Sequence, residues 1–313
     1  MANHTGAVIA ITPNPALDIT IDIDELVPEA THRIDHATKK LGGKGVNVAA
    51  VAGEQGYAAY ALGPVPGASI REHPTPSHVH AAFTDTPAGL RATYALHQRG
   101  LNTTTIINER GAAHPPEVFA QIVTAVSDLA TAHPGSVVTI SGSFPPGAPA
   151  DFLPHVLEAA HAAGARVIVD TSGAPLRQAC ELGCDLVKPN AAELADVTGE
   201  ADLVRGARLL LDAGVRRVVA SDGAAGLAAI SGRQGVIRAR LDHPLEGNPT
   251  GAGDALVAAL ATGLIDGLDE PELLRRAVAW SAAAVRQPVA GAIGTNNADL
   301  AERVVITNQP ADS

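Results

Sequence analysis

The sequence predicts an α/β fold in three layers, with a mostly parallel central sheet covered by helices on both faces and a small β-sheet lid standing off it. Three observations carry this expectation. Short apolar runs recur along the chain, end at turn-forming residues and are followed by helical patterns. Two further stretches, residues 18–39 and 91–108, alternate polar and apolar residues instead. The chain has 313 residues, 46% hydrophobic and only 3% aromatic, so a large core has to be built from Ala, Val, Leu and Ile.

The elements follow in order. Residues 7–12 (AVIAIT) form an apolar run that stops at Pro13-Asn14-Pro15 and read as a buried strand. Residues 18–23 (DITIDI) read as a half-exposed strand, and residues 45–53, small and apolar after a glycine turn, as a helix. Residues 64–87 are rich in Pro and His and are expected to be irregular. A regular rhythm follows: strand 136–140, helix 151–163 with Asp151 near its start, strand 166–170, strand 185–187, helices 191–198 and 203–213, and strand 217–220. Alternation of this kind implies parallel strands with helices on both faces. Residues 18–39 and 91–108 are read together as a small antiparallel sheet able to close over a ligand; a solvated edge extension fits the same pattern. The expected organisation is one domain over 1–313, with the lid formed by roughly 16–40 and 88–110.

The formal net charge of -11 argues against nucleic acid and anionic membranes as partners. Residues 1–12 lack a charged start followed by a long apolar stretch, and no apolar run is long enough to span a bilayer. Cys180 and Cys184 do not suggest a disulfide framework. A cytoplasmic protein is expected.

Four segments could carry chemistry. In the first, Gly251-Ala252-Gly253-Asp254 opens an alanine-rich helix. Glycines there let the backbone approach a ligand, and the free N–H groups of a first helical turn attract anions. Asp254 then sits beside any bound phosphate, where a carboxylate is repulsive unless it accepts a proton; favouring the helix dipole is the alternative role. The segment has no Lys-Ser/Thr pair after its glycines and so is not a Walker A loop. In the second, Gly42-Gly43-Lys44-Gly45 frames one ammonium at the start of a helix. The third, Ser221 to Gly226, follows a strand, where ligands bind in open α/β sheets, although a plain hairpin turn fits equally. In the fourth, Lys188-Pro189-Asn190 precedes a helix that Asn190 and Glu193 can cap reciprocally.

Taken in order, NPALD, GGKGVNVA, SGSFPPG, KPNAAE, SDGAAG and NPTGAGD resemble the PfkB/ribokinase family of carbohydrate kinases, over residues 9 to about 294. Within it they look like the branch acting on sugar phosphates, the 1-phosphofructokinase and tagatose-6-phosphate kinase branch. The resemblance implies a ribokinase-like fold, ATP and Mg²⁺ as cofactors, a small-molecule sugar phosphate as substrate, and a homodimer formed through the lid. It implies phosphorylation of fructose 1-phosphate to fructose 1,6-bisphosphate. The alternatives are tagatose 6-phosphate or fructose 6-phosphate, an unphosphorylated sugar or nucleoside, or a catalytically silent sensor.

By position, Asp254 matches the catalytic base, and Gly251, Ala252 and Gly253 the anion hole. Asp18, Gly42, Gly43 and Asn47 match sugar-hydroxyl contacts. Lys44, Arg91 and Ser143, with Arg33 on the lid, match contacts to the substrate's own phosphate. Lys188, Asn190, Ser221, Gly223 and Gly226 match the nucleotide side, and Glu193 with Asn190 a water-mediated Mg²⁺ site. The chain departs from the family pattern in three places. After Arg91 it lacks the usual Asn and Lys, Asp222 stands where an apolar residue is usual, and residues 64–87 lack the Gly-Asp-x-x-Gly segment.

Overall fold

The computed structural model describes residues 5–101, 103–232, 235–245, 247–287, 289–294 and 297–309. The chain runs through β1 (Ala7–Ile11), β2 (Ala16–Ile23), β3 (Thr38–Gly42), α1 (Lys44–Glu54), β4 (Ala58–Leu62), α2 (Gly67–Glu72), β5 (His80–Ala81), β6 (Arg91–Gln98) and β7 (Thr103–Asn108). It continues through α3 (Pro116–Ala132), β8 (Val137–Ser141), α4 (Phe152–Ala162), β9 (Arg166–Asp170), α5 (Gly173–Glu181), β10 (Leu186–Val187), α6 (Ala191–Thr198), α7 (Leu203–Asp212) and β11 (Val218–Ser221). The last elements are β12 (Leu227–Ile230), β13 (Val236–Leu241), α8 (Ala252–Ile265), α9 (Glu270–Val285), α10 (Asn297–Glu302) and β14 (Val304–Gln309).

Among the described residues the large sheet has the order β14-β13-β12-β11-β10-β9-β8-β1-β4-β5. From β11 to β5 every pairing is parallel, while β12, β13 and β14 add an antiparallel edge. Successive strand residues face opposite ways, and the packing follows that period. Val8, Ala10, Val137 and Ile168 pack with α1, α8 and α9, whereas Ile9, Ile11, Val138, Ile140, Val167 and Val169 pack with α3 to α7. This is the ribokinase-like α/β arrangement, helices on both faces of a mostly parallel sheet.

The second sheet has the order β3-β2-β6-β7. It corrects one expectation: the outer pairs are antiparallel, but the central β2–β6 pair is parallel. Between them the chain returns through α1, β4, α2 and β5, so the two hairpins leave the core side by side in the same direction. Residues 24–37 carry no strand and are mostly exposed, although alternation had suggested one there. Residues 64–87 are less irregular than composition implied, since they hold α2 and β5. No described helix is long and apolar enough to cross a membrane.

Candidate active site

Because β1, β8, β9, β10 and β11 run parallel, their carboxyl ends lie on one edge of the sheet, the edge where open α/β sheets bind ligands. That edge carries Thr12, Gly142, Ser143, Asp170, Lys188 and Ser221. The second sheet stands over part of it. Between them is a cavity of about 1180 Å³ lined by, among others, Asp18, Lys40, Gly43, Lys44, Asn47, Arg91, Ser143, Gly251, Gly253 and Asp254.

Helix α8 is apolar on every side and buried from Asp254 to Leu264, which fixes its start relative to the core. Its N-cap, Gly251, has φ 85°, a left-handed conformation natural to glycine, and supplies no side-chain cap. Ala252 N donates to Pro249 O at 3.1 Å, so the amides that can face a ligand at this helix start are those beside it, such as that of Gly253. Asp254 Oδ2 accepts a hydrogen bond from Asn47 Nδ2 at 2.8 Å. This bond ties α8 to α1 and brings the two glycine bends onto one cavity. Burial pushes the Asp254 carboxyl up to about 6, assisted by the charge of Asp170 and opposed by Lys44, Lys188 and the Asn47 bond.

The ammonium of Lys44 lies 3.4 Å from Asp170 Oδ2, and that of Lys188 lies 3.1 Å from Asp170 Oδ1. Burial alone would raise the Asp170 carboxyl, but Lys188 and Lys44 outweigh it and hold it below the usual carboxylate range. Asp170, with Glu193 and Asp254 in its wider field, raises Lys44 against the effect of burial, so that ammonium stays charged. A side chain at Gly253 would come within 3.8 Å of Lys188 Nζ. The bare helix start and a lysine thus share one space, as an anion requires.

On the small sheet, the cross-strand register aligns Asp18 with Lys40 on one side and Thr93 on the other. All three line the cavity. A Cβ at Gly42 would run into the Asp18 carboxylate, which would have to move. Burial raises the Asp18 carboxyl, opposed by Lys40 and Arg91. Arg91 Nε donates to Asn14 O at 3.1 Å, and its Nη1 donates to Thr93 Oγ1 and Glu109 O, each at 3.3 Å. Asn14 Nδ2 donates in turn to Ser143 Oγ at 3.3 Å.

The structure therefore brings Asp254, Gly251, Gly253, Asp18, Gly43, Lys44, Asn47, Arg91 and Ser143 to one cavity. Gly42 and Ala252 adjoin it without lining it. Lys188, Asn190 and Glu193 sit beside it at the end of β10. There Asn190 Oδ1 accepts from Glu193 N at 2.8 Å and Glu193 Oε2 accepts from Asn190 N at 2.9 Å, the reciprocal cap expected. Ser221 N donates to Pro189 O at 3.0 Å, which places Ser221 next to this turn. Gly223 and Gly226 form the tight connection between β11 and β12, which pair antiparallel, so the hairpin reading of that segment holds for its geometry. Arg33 is not in the cavity. It lies on the exposed 24–37 segment and lines a separate cavity of about 290 Å³ with Asp22, Asp24, Glu25 and Asp35.

Among the residues at the site that escaped the sequence reading are Asn14, Lys40 and Asp170. Asp170 ends a buried strand, Lys40 sits opposite Asp18 by register alone, and Asn14 lies within the NPALD motif.

The chain is similar to known carbohydrate kinases along most of its length. The family described as "pfkB family carbohydrate kinase" matches residues 12–296. A 1-phosphofructokinase of Xanthomonas campestris pv. campestris is 37% identical over 284 residues, covering 86% of this chain and 87% of that protein. A 1-phosphofructokinase of Rhodobacter capsulatus is 30% identical over 289 residues, covering 90% and 91%. Among solved structures, phosphofructokinase-2 from Escherichia coli in complex with fructose-6-phosphate superposes with a TM-score of 0.83 at 27% identity, covering 95% of this chain and 98% of that one.

Proposed function

The chain belongs to the pfkB family of carbohydrate kinases, and from that premise we propose that it transfers the γ-phosphate of ATP to a hydroxyl of fructose 1-phosphate, giving fructose 1,6-bisphosphate. The observation that carries the reading is the Asn47–Asp254 bond, which gathers a carboxylate, a bare helix start and a lysine-bearing bend around one cavity. The two 1-phosphofructokinases among its relatives support fructose 1-phosphate as the acceptor.

In this reading Asp254 accepts the proton of the attacking hydroxyl. The amides of Gly251 and Gly253 stabilise charge on the transferring phosphoryl group; that of Ala252, expected to join them, is engaged with Pro249 O instead. Asp18, Gly42, Gly43 and Asn47 hold the sugar hydroxyls, and Lys44, Arg91 and Ser143 hold the phosphate already present. Lys188, Asn190, Ser221, Gly223 and Gly226 flank the nucleotide. The small sheet acts as a lid that excludes water.

Among the described residues no group of three His, Cys, Asp or Glu could cage a metal. Asn190 and Glu193 are partly engaged with each other. This donor set fits a largely hydrated Mg²⁺, whose water shell Glu193 and Asn190 would orient. When bound, Mg²⁺ offsets the charge of the β- and γ-phosphates.

Turnover with Mg-ATP across fructose 1-phosphate, fructose 6-phosphate, tagatose 6-phosphate and free sugars tests the proposal, with fructose 1-phosphate expected to give the highest kcat/KM. Lys44→Met should raise the KM for that substrate by about 10- to 100-fold, the worth of a charge-assisted hydrogen bond. An unchanged KM, or equal turnover of free fructose, would overturn the acceptor assignment. Homodimerisation through the small sheet is part of the same reading. The exposed Val27, Leu101 and Ile107 on and beside that sheet support it, at 48%, 59% and 54% accessibility. Sedimentation velocity should show a dimer that Ile107→Glu converts to monomer.

A further inference from the structure

We infer that Lys40 is a positioning residue that fastens the small sheet to the loop behind the start of α8, and through that loop sets the geometry of the anion hole and of Asp254. The inference rests on the kinase reading above for its consequence in catalysis, but not for its structural part.

Lys40 lies on β3, far in sequence from Ala290, yet its Nζ donates to Ala290 O at 2.6 Å. The segment 289–291 packs on both parts of the proposed catalytic apparatus. A Cβ at Gly251 would stand 2.6 Å from Ala290 Cβ, so Ala290 backs the N-cap turn that presents the first-turn amides. A Cβ at Gly291, whose φ is 88°, would stand 3.0 Å from Asn47 Oδ1, so the next residue backs the side chain whose amide holds Asp254. Two residues further on, Ile293 N donates to Glu54 Oε2 at 2.8 Å and anchors the segment to α1. Lys40 supplies the anchor from the opposite wall of the cavity.

Two other cations of the cavity are engaged elsewhere. Lys44 faces Asp170, and Arg91 is spread over Asn14, Thr93 and Glu109. Lys40 is half-buried between Asp18, its cross-strand neighbour, and the Ala290 carbonyl. Burial lowers its ammonium, while Asp18 and Asp254 favour the charge. Such a tether links the wall that carries Asp18 to the wall that carries the anion hole. Loss of it should displace groups that act on the transition state more than groups that bind ATP in the ground state.

The test uses the full-length protein with Lys40→Met and Lys40→Arg. In ligand-free protein, hydrogen exchange of a peptide spanning Val289 to Gly294 should be faster in Lys40→Met than in wild type and restored in Lys40→Arg, whose guanidinium can still donate to the Ala290 carbonyl. With fructose 1-phosphate and Mg-ATP, Lys40→Met should lower kcat by about 10- to 100-fold, the scale of a small misplacement of reacting groups, while the KM for ATP moves little. Unchanged exchange in Lys40→Met overturns the tether. Faster exchange with wild-type kcat overturns its catalytic consequence. Should wild type turn over no sugar phosphate, the functional reading fails while the exchange measurement still decides the tether.

Discussion

Asp254→Asn is expected to lower kcat by about 10²- to 10⁴-fold, the usual worth of a positioned general base, while the variant still binds ATP. The amide keeps the shape of the carboxylate and can still accept the hydrogen bond from Asn47, so geometry and proton acceptance are separated. Measurement of kcat by coupled assay, with ATP affinity by calorimetry, checks it. Near-normal turnover would remove Asp254 from the role of base. The carboxyl, pushed up to about 6 by burial, adds a pH signature. A base works only when deprotonated, so wild-type kcat should fall about tenfold per unit as pH drops below that value. The variant should lack this limb.

The same carboxyl makes a prediction about stability. Its folded value of about 6 lies above the ordinary 3.8, so the folded state holds the proton more tightly than the unfolded chain does. The cost of ionising it in place is absent below the ordinary value, builds as pH rises between the two values and is complete above the higher one. A two-unit shift corresponds to roughly 3 kcal/mol. At neutral pH, ligand-free Asp254→Asn should therefore melt above wild type, with the gap closing on acidification toward pH 4. A variant that melts higher while turning over far more slowly is the mark of a group kept for chemistry at the expense of stability.

The parts of the site legible in the sequence were those whose chemistry is local. Glycines before an alanine-rich run announce a helix start, and Asp254 follows at a fixed place in that turn. Lys44 and Asn47 are likewise placed by the bend and first turn of α1. Asn190 and Glu193 cap α6 through a three-residue spacing. Residues whose role depends on register or on distant partners were not legible. Lys40 meets Asp18 only because β3 pairs with β2 in one register, and it meets Ala290 only through the tertiary fold. Asp170 reads in sequence as the last residue of a strand, and nothing nearby announces that Lys44 and Lys188 converge on it. The fold followed the same division: the strand–helix alternation is local, whereas the parallel joining of the two hairpins and the antiparallel β12 to β14 edge depend on how the chain returns through the core.

Asp170→Asn should be strongly destabilising. Asp170 is 1% exposed and Lys188 4% exposed, so removing the carboxylate leaves Lys188 as a buried cation without its counter-charge, a loss of about 3–5 kcal/mol. Lys44 is partly exposed and can turn to water, so its share is smaller. At about 2 °C per kcal/mol for a chain of this size, the melting temperature should fall by roughly 6–10 °C at pH 7. The Asp170 carboxyl is held below its ordinary value by Lys188 and Lys44 against burial. Its contribution is therefore present above the ordinary value of 3.8 and lost as pH falls below it; the melting curves of wild type and variant should converge in strong acid. The double change Asp170→Leu with Lys188→Met separates charge from packing. An apolar pair of similar volume can replace a buried ion pair at little cost, so the double variant should recover most of the lost stability while remaining impaired as a kinase. If the single variant melts within 2 °C of wild type at pH 7, the Lys188 ammonium has another counter-charge, and the convergence of both lysines on Asp170 is not what holds this edge of the sheet together.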